Sequence, residues 1–250
     1  MAGTATPASR TALVAGGTGA LGREIVSALQ SADIAVAVHW RSNRDEAELL
    51  AAQHPSSFAV GANLTDADSV DALFASVESV AGAPSILVNT VHPSGLIPDD
   101  VASTPPRALE RELDGLRIHH LLCSRAIPAM RADGYGRIVY IGGASTHRPV
   151  CGFGAFAATK AAASTLTRYI ADECGRDGIT ANTIAPGRLV DSVDVLEEEH
   201  AAESERLLAR TALGRFDTMR EVASMVLALT TPGFSSVTGQ TLWMAGGESL

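Results

Sequence analysis

Gly16-Gly17-Thr18-Gly19-Ala20-Leu21-Gly22 follows directly on the apolar run Ala12–Ala15 and opens an apolar-periodic stretch. Glycines at this spacing let the chain turn tightly and let a bulky anion approach the backbone. A helix starting there offers unbonded N–H groups and the positive end of its dipole. The chemistry this suits is binding of a pyrophosphate, and a purely structural turn is the alternative. Two histidines follow later apolar runs: His92 after Ile86–Val88 and His147, next to Arg148, after Arg137–Ile141. Imidazole gives and takes protons near neutral pH, so both are acid/base candidates; the plainer reading of each is a solvated loop residue. His119-His120 is half of a metal site, but it has no clustered partners, and we assign no metal.

These residues need a scaffold, and the chain supplies a regular one. Short apolar runs at Ala12–Ala15, Ile34–Val38, Phe58–Val60, Ile86–Val88, Arg137–Ile141, Thr180–Ile184 and Gln240–Met244 predict strands. Helical patterns lie between them, near Ala20–Ser31, Arg44–Ala52, Asp66–Val80, Pro106–Arg131, Phe153–Cys174, Glu197–Ala209 and Thr218–Leu229. Such alternation predicts an α/β fold: a single-domain, Rossmann-type, doubly wound seven-stranded parallel sheet flanked by helices. One domain is expected over 1–250. Pro93–Pro106 reads as a loop, and 188–212 interrupts the alternation as a lid over the pocket, its Glu197–Glu199 run reading as a solvated helix start. In a doubly wound sheet the pocket lies at the carboxyl ends of the strands, where His92 and His147 fall.

The segments "VAVHWRSNRDEAE", "VGANLTDADSV", "ILVNT", "GRIVYIGG", "GITANTIAPG", "LGRF" and "TGQTLWMAGG" resemble, in order and spacing, the short-chain dehydrogenase/reductase family along essentially the whole chain. Against that family's TGxxxGxG pattern, Ala15 and Ala20 depart while Gly16 and Gly22 match. Gly16, Gly19 and Gly22 also satisfy the GxxGxxG of the extended branch. The resemblance implies a dinucleotide site at Gly16, Thr18, Gly19, Leu21, Gly22, Arg41, Ser42, Asn63, Leu64, Asn89, Lys160, Pro186 and Gly187. Where NAD-preferring relatives end the second strand with a carboxylate, this chain has Arg41, which suits a 2′-phosphate. NADP(H) is therefore the expected cofactor, with NAD(H) or none as alternatives. After Asn89 the segment runs Thr90-Val91-His92, so a family glycine has become His92.

Family chemistry uses a Tyr phenol as proton donor, a Lys one helical turn later to lower its pKa, a Ser that holds the substrate oxygen and a helix Asn. Here YxxxK reads Phe156-Ala157-Ala158-Thr159-Lys160, and Gly143 stands at the serine position thirteen residues before Phe156. The asparagine aligns with about Gly115. Enoyl reductases use an earlier Tyr, a place held by Phe153. Lys160 alone survives of the four. Ser145 is a displaced substitute or a loop-capping hydroxyl, and His147 is the candidate replacement donor. His92, Phe153, Phe156 and Arg188 are expected to line a substrate pocket more apolar than usual, fit for a hydrophobic or polyketide-like metabolite.

Composition bounds the rest. The chain is 46% hydrophobic and 19% charged, which suits a buried core, and its net charge of −9 argues against nucleic acid. Three unpaired-looking cysteines, Met1–Arg10 without an apolar signal core, and no long apolar run predict a soluble cytoplasmic protein away from membranes. The resemblance implies a homodimer or homotetramer, or a hetero-oligomer with an active relative. Three functions stand open: a homologue that has lost hydride transfer and acts in a non-redox step or as a silent partner, an NADPH-dependent ketone or quinone reductase with an atypical donor such as His147, and a cofactor-free interaction protein.

Overall fold

The computed structural model describes residues 10–93, 100–191 and 201–248, without the side chains of 201–204. Strand β1 (Thr11–Ala15) is buried at every residue. It is flanked by β2 (Ala35–Trp40) and β4 (Ile86–Asn89), both parallel to it. With β3 (Phe58–Gly61), β5 (Gly136–Ile141), β6 (Ile179–Pro186) and β9 (Thr241–Met244; β7 and β8 are given below) the order across the sheet is β3-β2-β1-β4-β5-β6-β9, every pair parallel. The fold is thus α/β, a seven-stranded parallel sheet flanked by helices.

Covering both faces explains why the strands are runs of apolar residues rather than alternating ones. Leu13 and Ala15 face one core with Leu122, Met130 and Ile170; these come from α4 (Pro106–Asp133) and α5 (Gly154–Cys174). Ala12 and Val14 face the other with Ile25 of α1 (Ala20–Ser31), Ala47 of α2 (Arg44–Ala51) and Val226 of α7 (Met219–Thr230). Helix α3 (Ala67–Ala81) starts where the Asp66 carboxylate accepts from Asp68 N–H. Helix α7 starts with a capping box, Thr218 against Glu221, and Arg215 grips the same Glu221 through two nitrogens at 2.7 and 3.0 Å.

The interruption between β6 and α7 holds more order than its sequence suggested. Leu189–Val190 (β7) pairs in parallel with Asp217–Thr218 (β8), and α6 (Ala201–Leu208) lies between them. Two-residue strands carry no periodicity, so sequence reading had no signal for them. The middle of the expected lid, 192–200 with its Glu197–Glu199 run, and residues 94–99 of the expected loop lie outside the described residues. No helix among the described residues is long and apolar enough to cross a membrane.

Candidate nucleotide cleft and catalytic pocket

The glycine turn is shaped by close backbone approach. Gly16 has φ +82°, and a Cβ there would lie 2.4 Å from Thr90 Oγ1. A Cβ on Gly22 would lie 2.1 Å from Gly16 O. Only hydrogen atoms fit at these two points. Helix α1 then begins on Gly19 with no side-chain cap and no acidic residue in its first turn, which leaves its N–H groups and dipole for an anion.

His39 of β2 locks this turn. Its Nδ1 accepts from Gly16 N–H at 3.1 Å, and its Nε2 lies 3.2 Å from Ala62 O, so the proton sits on Nε2. Burial pushes its pKa down to about 4. The Thr90 hydroxyl ties the exit of β4 to the same turn, donating to Ala15 O at 2.9 Å.

Beside the turn opens a cleft of about 260 Å³. Of the expected binding residues, Gly16, Thr18, Gly19, Arg41, Ser42, Asn63 and Leu64 line it. Arg41 and Ser42 are exposed at its rim. Asn63 Oδ1 is engaged by Thr65, whose hydroxyl donates to it at 2.9 Å. Four of the expected residues take other places. Leu21 packs on the core instead of the cleft. Gly22 stands behind Gly16 as a spacer. Asn89 is fully buried: its Oδ1 accepts from Val91 N–H at 2.9 Å and its Nδ2 meets His119 Nδ1 at 3.3 Å, so it shapes the floor. His92 borders this cleft rather than the substrate side.

A second cavity of about 410 Å³ lies over the ends of β5 and β6. Phe153, Phe156 and Arg188, the expected pocket residues, line it with Ser145, and so do Pro186 and Gly187, which the resemblance assigned to the cofactor; Gly143, Arg148, Val150, Leu207 and Glu248 complete it. The Arg188 guanidinium lies 5.6 Å over the Phe216 ring. Arg148 donates to the main-chain oxygen of Glu248, which holds Glu248 against the cavity. No tyrosine lines either cavity.

Lys160 is buried and lines neither space; its ammonium donates to Ile141 O at 2.8 Å. Burial lowers its pKa to about 8 against the pull of Glu112. Phe156 is one turn away, its ring centroid 5.6 Å from Lys160 Nζ. Ser145 makes no loop-capping bond. Its hydroxyl is buried without a hydrogen-bond partner, and it would lie 3.6 Å from a Cβ on Gly143. His147 is exposed and packs on Trp243 at 5.2 Å between ring centroids. It lines neither cavity, because the turn at Ala144–Thr146 carries it outward, so it is no longer the candidate acid. His119 is spent inside the core, its Nε2 3.0 Å from Thr167 Oγ1.

Glu112 was also missed. It is a buried carboxylate of α4 facing His92, its Oε2 3.2 Å from His92 Nε2. The available signal was its place on the inward stripe Glu112, Gly115, His119, Leu122 of an amphipathic helix.

Burial of neutral histidines gives a pH prediction. His39 and His92 are lowered to about 4 and His119 to about 3, all chiefly by burial. The unfolded chain takes up protons near pH 6.5 that the folded chain refuses, so stability rises with pH between about 4 and 6.5. The expected loss is roughly 1–2 kcal/mol per histidine at pH 5. Glu112 and Asp217, held above the usual carboxylate range by burial, oppose this in sign. Urea midpoints should therefore fall from pH 7 to pH 5, and equal midpoints would contradict the buried neutral histidines.

A family model described as enoyl-(acyl carrier protein) reductase matches residues 16–249. The chain is 31% identical to a 3-oxoacyl-(acyl-carrier-protein) reductase of Staphylococcus aureus, covering 96% of this chain and 98% of that one. Among solved structures it is similar to a short-chain dehydrogenase/reductase mutant of Serratia marcescens: TM-score 0.87, 29% identity, covering 98% of this chain and 100% of that one. It is also similar to a gluconate 5-dehydrogenase of Burkholderia cenocepacia in complex with NADP and tartrate: TM-score 0.85, 25% identity, 96% and 95% covered.

Proposed function

The chain belongs to the short-chain dehydrogenase/reductase family, and from that premise we propose that it binds NADP(H) and acts on a small, largely apolar metabolite without the phenol-assisted hydride transfer of its reductase relatives. The observation that carries this reading is Phe156, which puts a bare ring one turn from Lys160 where YxxxK would supply the proton. Loss of a general acid costs about 10²–10⁴ in rate. Absence of a hydroxyl at Gly143 adds about 10²–10³, though the two do not simply add. The step that remains open to such a pocket is non-redox: cyclisation, dehydration or isomerisation. A silent partner subunit beside an active relative is the limiting case.

The cofactor side is supported by fit. A side chain at Gly16 or Gly22 would close the cradle, and the uncapped start of α1 faces the same point. Thr18, Gly19, Ser42, Asn63 and Leu64 would border the adenylate, Arg41 the 2′-phosphate, and Pro186 and Gly187 the far end. When bound, a nicotinamide supplies or accepts hydride; the protein orients it and excludes water.

A second reading is favoured by Ser145. Its buried, unpartnered hydroxyl beside Gly143 suits a substrate oxygen. With water as donor, the chain would then be an NADPH-dependent ketone or quinone reductase; a relative named 3-oxoacyl-(acyl-carrier-protein) reductase supports the ketone. We extend the proposal to the whole chain as one domain, to 188–212 as a lid whose Arg188 and Leu207 border the cavity, and to a cytoplasmic homodimer or homotetramer.

Nucleotide titration tests the core of this reading. NADPH should bind about tenfold or more tightly than NADH, the worth of one charge-assisted contact. Arg41→Ala should close that gap while leaving NADH binding unchanged. Binding of neither nucleotide would leave the cofactor-free interaction protein as the surviving function. Rapid NADPH oxidation by the unaltered protein with simple ketones would favour the reductase.

A further inference from the structure

His92 and Glu112 are two polar side chains that the proposed function does not use. They come from different elements, the exit of β4 and the second turn of α4. Glu112 is 3% exposed, and its Oε2 lies 3.2 Å from His92 Nε2. The distance suits a hydrogen bond, the angle does not, and neither atom has another partner. Leaving such groups unmatched in a protein interior costs about 1–3 kcal/mol each. The two therefore pair with each other after a slight turn of the ring, which leaves Nδ1 as the ring's remaining hydrogen-bonding atom.

The surroundings define where a partner for Nδ1 comes from. In the strand order β3-β2-β1-β4-β5-β6-β9 the direction of winding reverses between β1 and β4. A dinucleotide crosses a doubly wound sheet at that reversal, outside the strand ends. His92 stands three residues beyond β4, on the wall of the cleft that begins at the glycine turn. On its other side its ring meets Phe156 edge-on, centroids 4.6 Å apart. It thus lies between the cleft and the ring that replaces the family phenol. Its side chain is 22% exposed, and the buried nitrogen is Nε2, so Nδ1 is the nitrogen left for the cleft.

Gly115 is part of the same arrangement. A Cβ there would lie 3.3 Å from Pro93 Cδ and 3.4 Å from Thr159 Cγ2, tighter than side chains normally pack. The chain carries a glycine on α4 where the family has its asparagine, and the bend His92-Pro93 uses the space.

We propose that His92, backed by Glu112, is a cofactor-binding residue of this chain: its Nδ1 accepts a hydrogen bond from a hydroxyl on the nicotinamide-riboside half of the dinucleotide, in place of the missing phenol. The carboxylate at Nε2 selects the tautomer with its proton there and fixes the ring. Burial and the nearby Lys160 charge hold the imidazole neutral, with its pKa lowered to about 4, so an acceptor nitrogen is present at neutral pH. Lys160, on the far side of Phe156, stays bonded to Ile141 O and is not needed for the contact.

This rests on the NADP(H) reading, and two ligands separate the failure of one from the failure of the other. NADPH carries the nicotinamide riboside; adenosine 2′,5′-bisphosphate has only the adenylate half. In titrations of His92→Gly, NADPH should weaken by about 5–10-fold, the worth of one hydrogen bond, while the bisphosphate stays within about twofold of the unaltered protein. Glu112→Gln should weaken NADPH by about threefold with the bisphosphate again unmoved, because an amide still fills the space but orients the ring less well. His92→Asn, which offers another acceptor, should recover part of the loss. Tighter NADPH binding by His92→Gly would mean that the ring merely obstructs the cleft, and equal losses for both ligands would mean that it only supports the fold; either overturns the proposal. Unchanged NADPH binding in both variants overturns it while leaving the cofactor reading intact. An unaltered protein that binds neither ligand overturns both.

Discussion

Gly143→Ser combined with Phe156→Tyr is expected to raise NADPH-dependent ketone reduction by about 10²–10⁴-fold, the range that a positioned general acid contributes. The backbone already accommodates the change. Gly143 is extended, φ −174°, and a Cβ there meets Phe156 Cε1 at 3.5 Å and Ser145 Oγ at 3.6 Å, both ordinary contacts. The new serine would therefore stand against the edge of ring 156, where the new phenol also points. Lys160 waits one turn away, and its ammonium lowers the pKa of a neighbouring phenol. Each single substitution should do much less, since groups that act on one oxygen work as a unit. The measurement is kcat/KM for NADPH oxidation over a panel of ketones, with melting temperature and NADPH affinity alongside. A double variant that folds, binds NADPH and reduces nothing faster would mean that more than two hydroxyls separate this pocket from its reductase relatives.

Gly22→Ala is expected to weaken NADPH binding by at least about 10²-fold, or 2.7 kcal/mol. Its added methyl would start 2.1 Å from Gly16 O and 3.0 Å from the carbonyl carbons of Gly16 and Gly17. All three are backbone atoms of the turn itself, so relief requires the phosphate cradle to move. Overpacking of this kind costs about 1–3 kcal/mol of stability as well. Gly19→Ala is the control: its methyl meets only Gly16 O, at 3.4 Å. That variant should bind NADPH within a few-fold of the unaltered chain. Similar affinities for the two variants would remove the cradle from its assigned role.

The fold was legible because its signals are local. Short runs, several of them apolar at every residue, alternate with helical patterns and call for a sheet covered on both sides, and the glycines after the first run mark its phosphate end. The site was legible in part. Spacing marked Gly16 and Gly19, the family resemblance pointed to Thr18 and Arg41, and all four line one cleft. Ser145 and His147 could not be ranked from sequence, because two residues of turn decide which side chain faces inward. The structure buries the hydroxyl and exposes the imidazole. Asn89 carries the residue type of a ligand contact, yet it closes the turn beneath the cleft.

What the sequence by itself determined is the groups that two positions carry: Phe156 has no oxygen and Gly143 has no side chain, whatever the fold. What only the tertiary structure decided is the chemistry that is present. Glu112 and His92 are twenty residues apart, on a helix and on the exit of a strand, and meet only when α4 packs at Gly115. His39 holds the glycine turn only because β1 and β2 pair. Such meetings depend on the rotation of a helix and the bend of a loop, which many neighbours set together. Burial then fixes which groups stay neutral, and burial is a property of the assembled core.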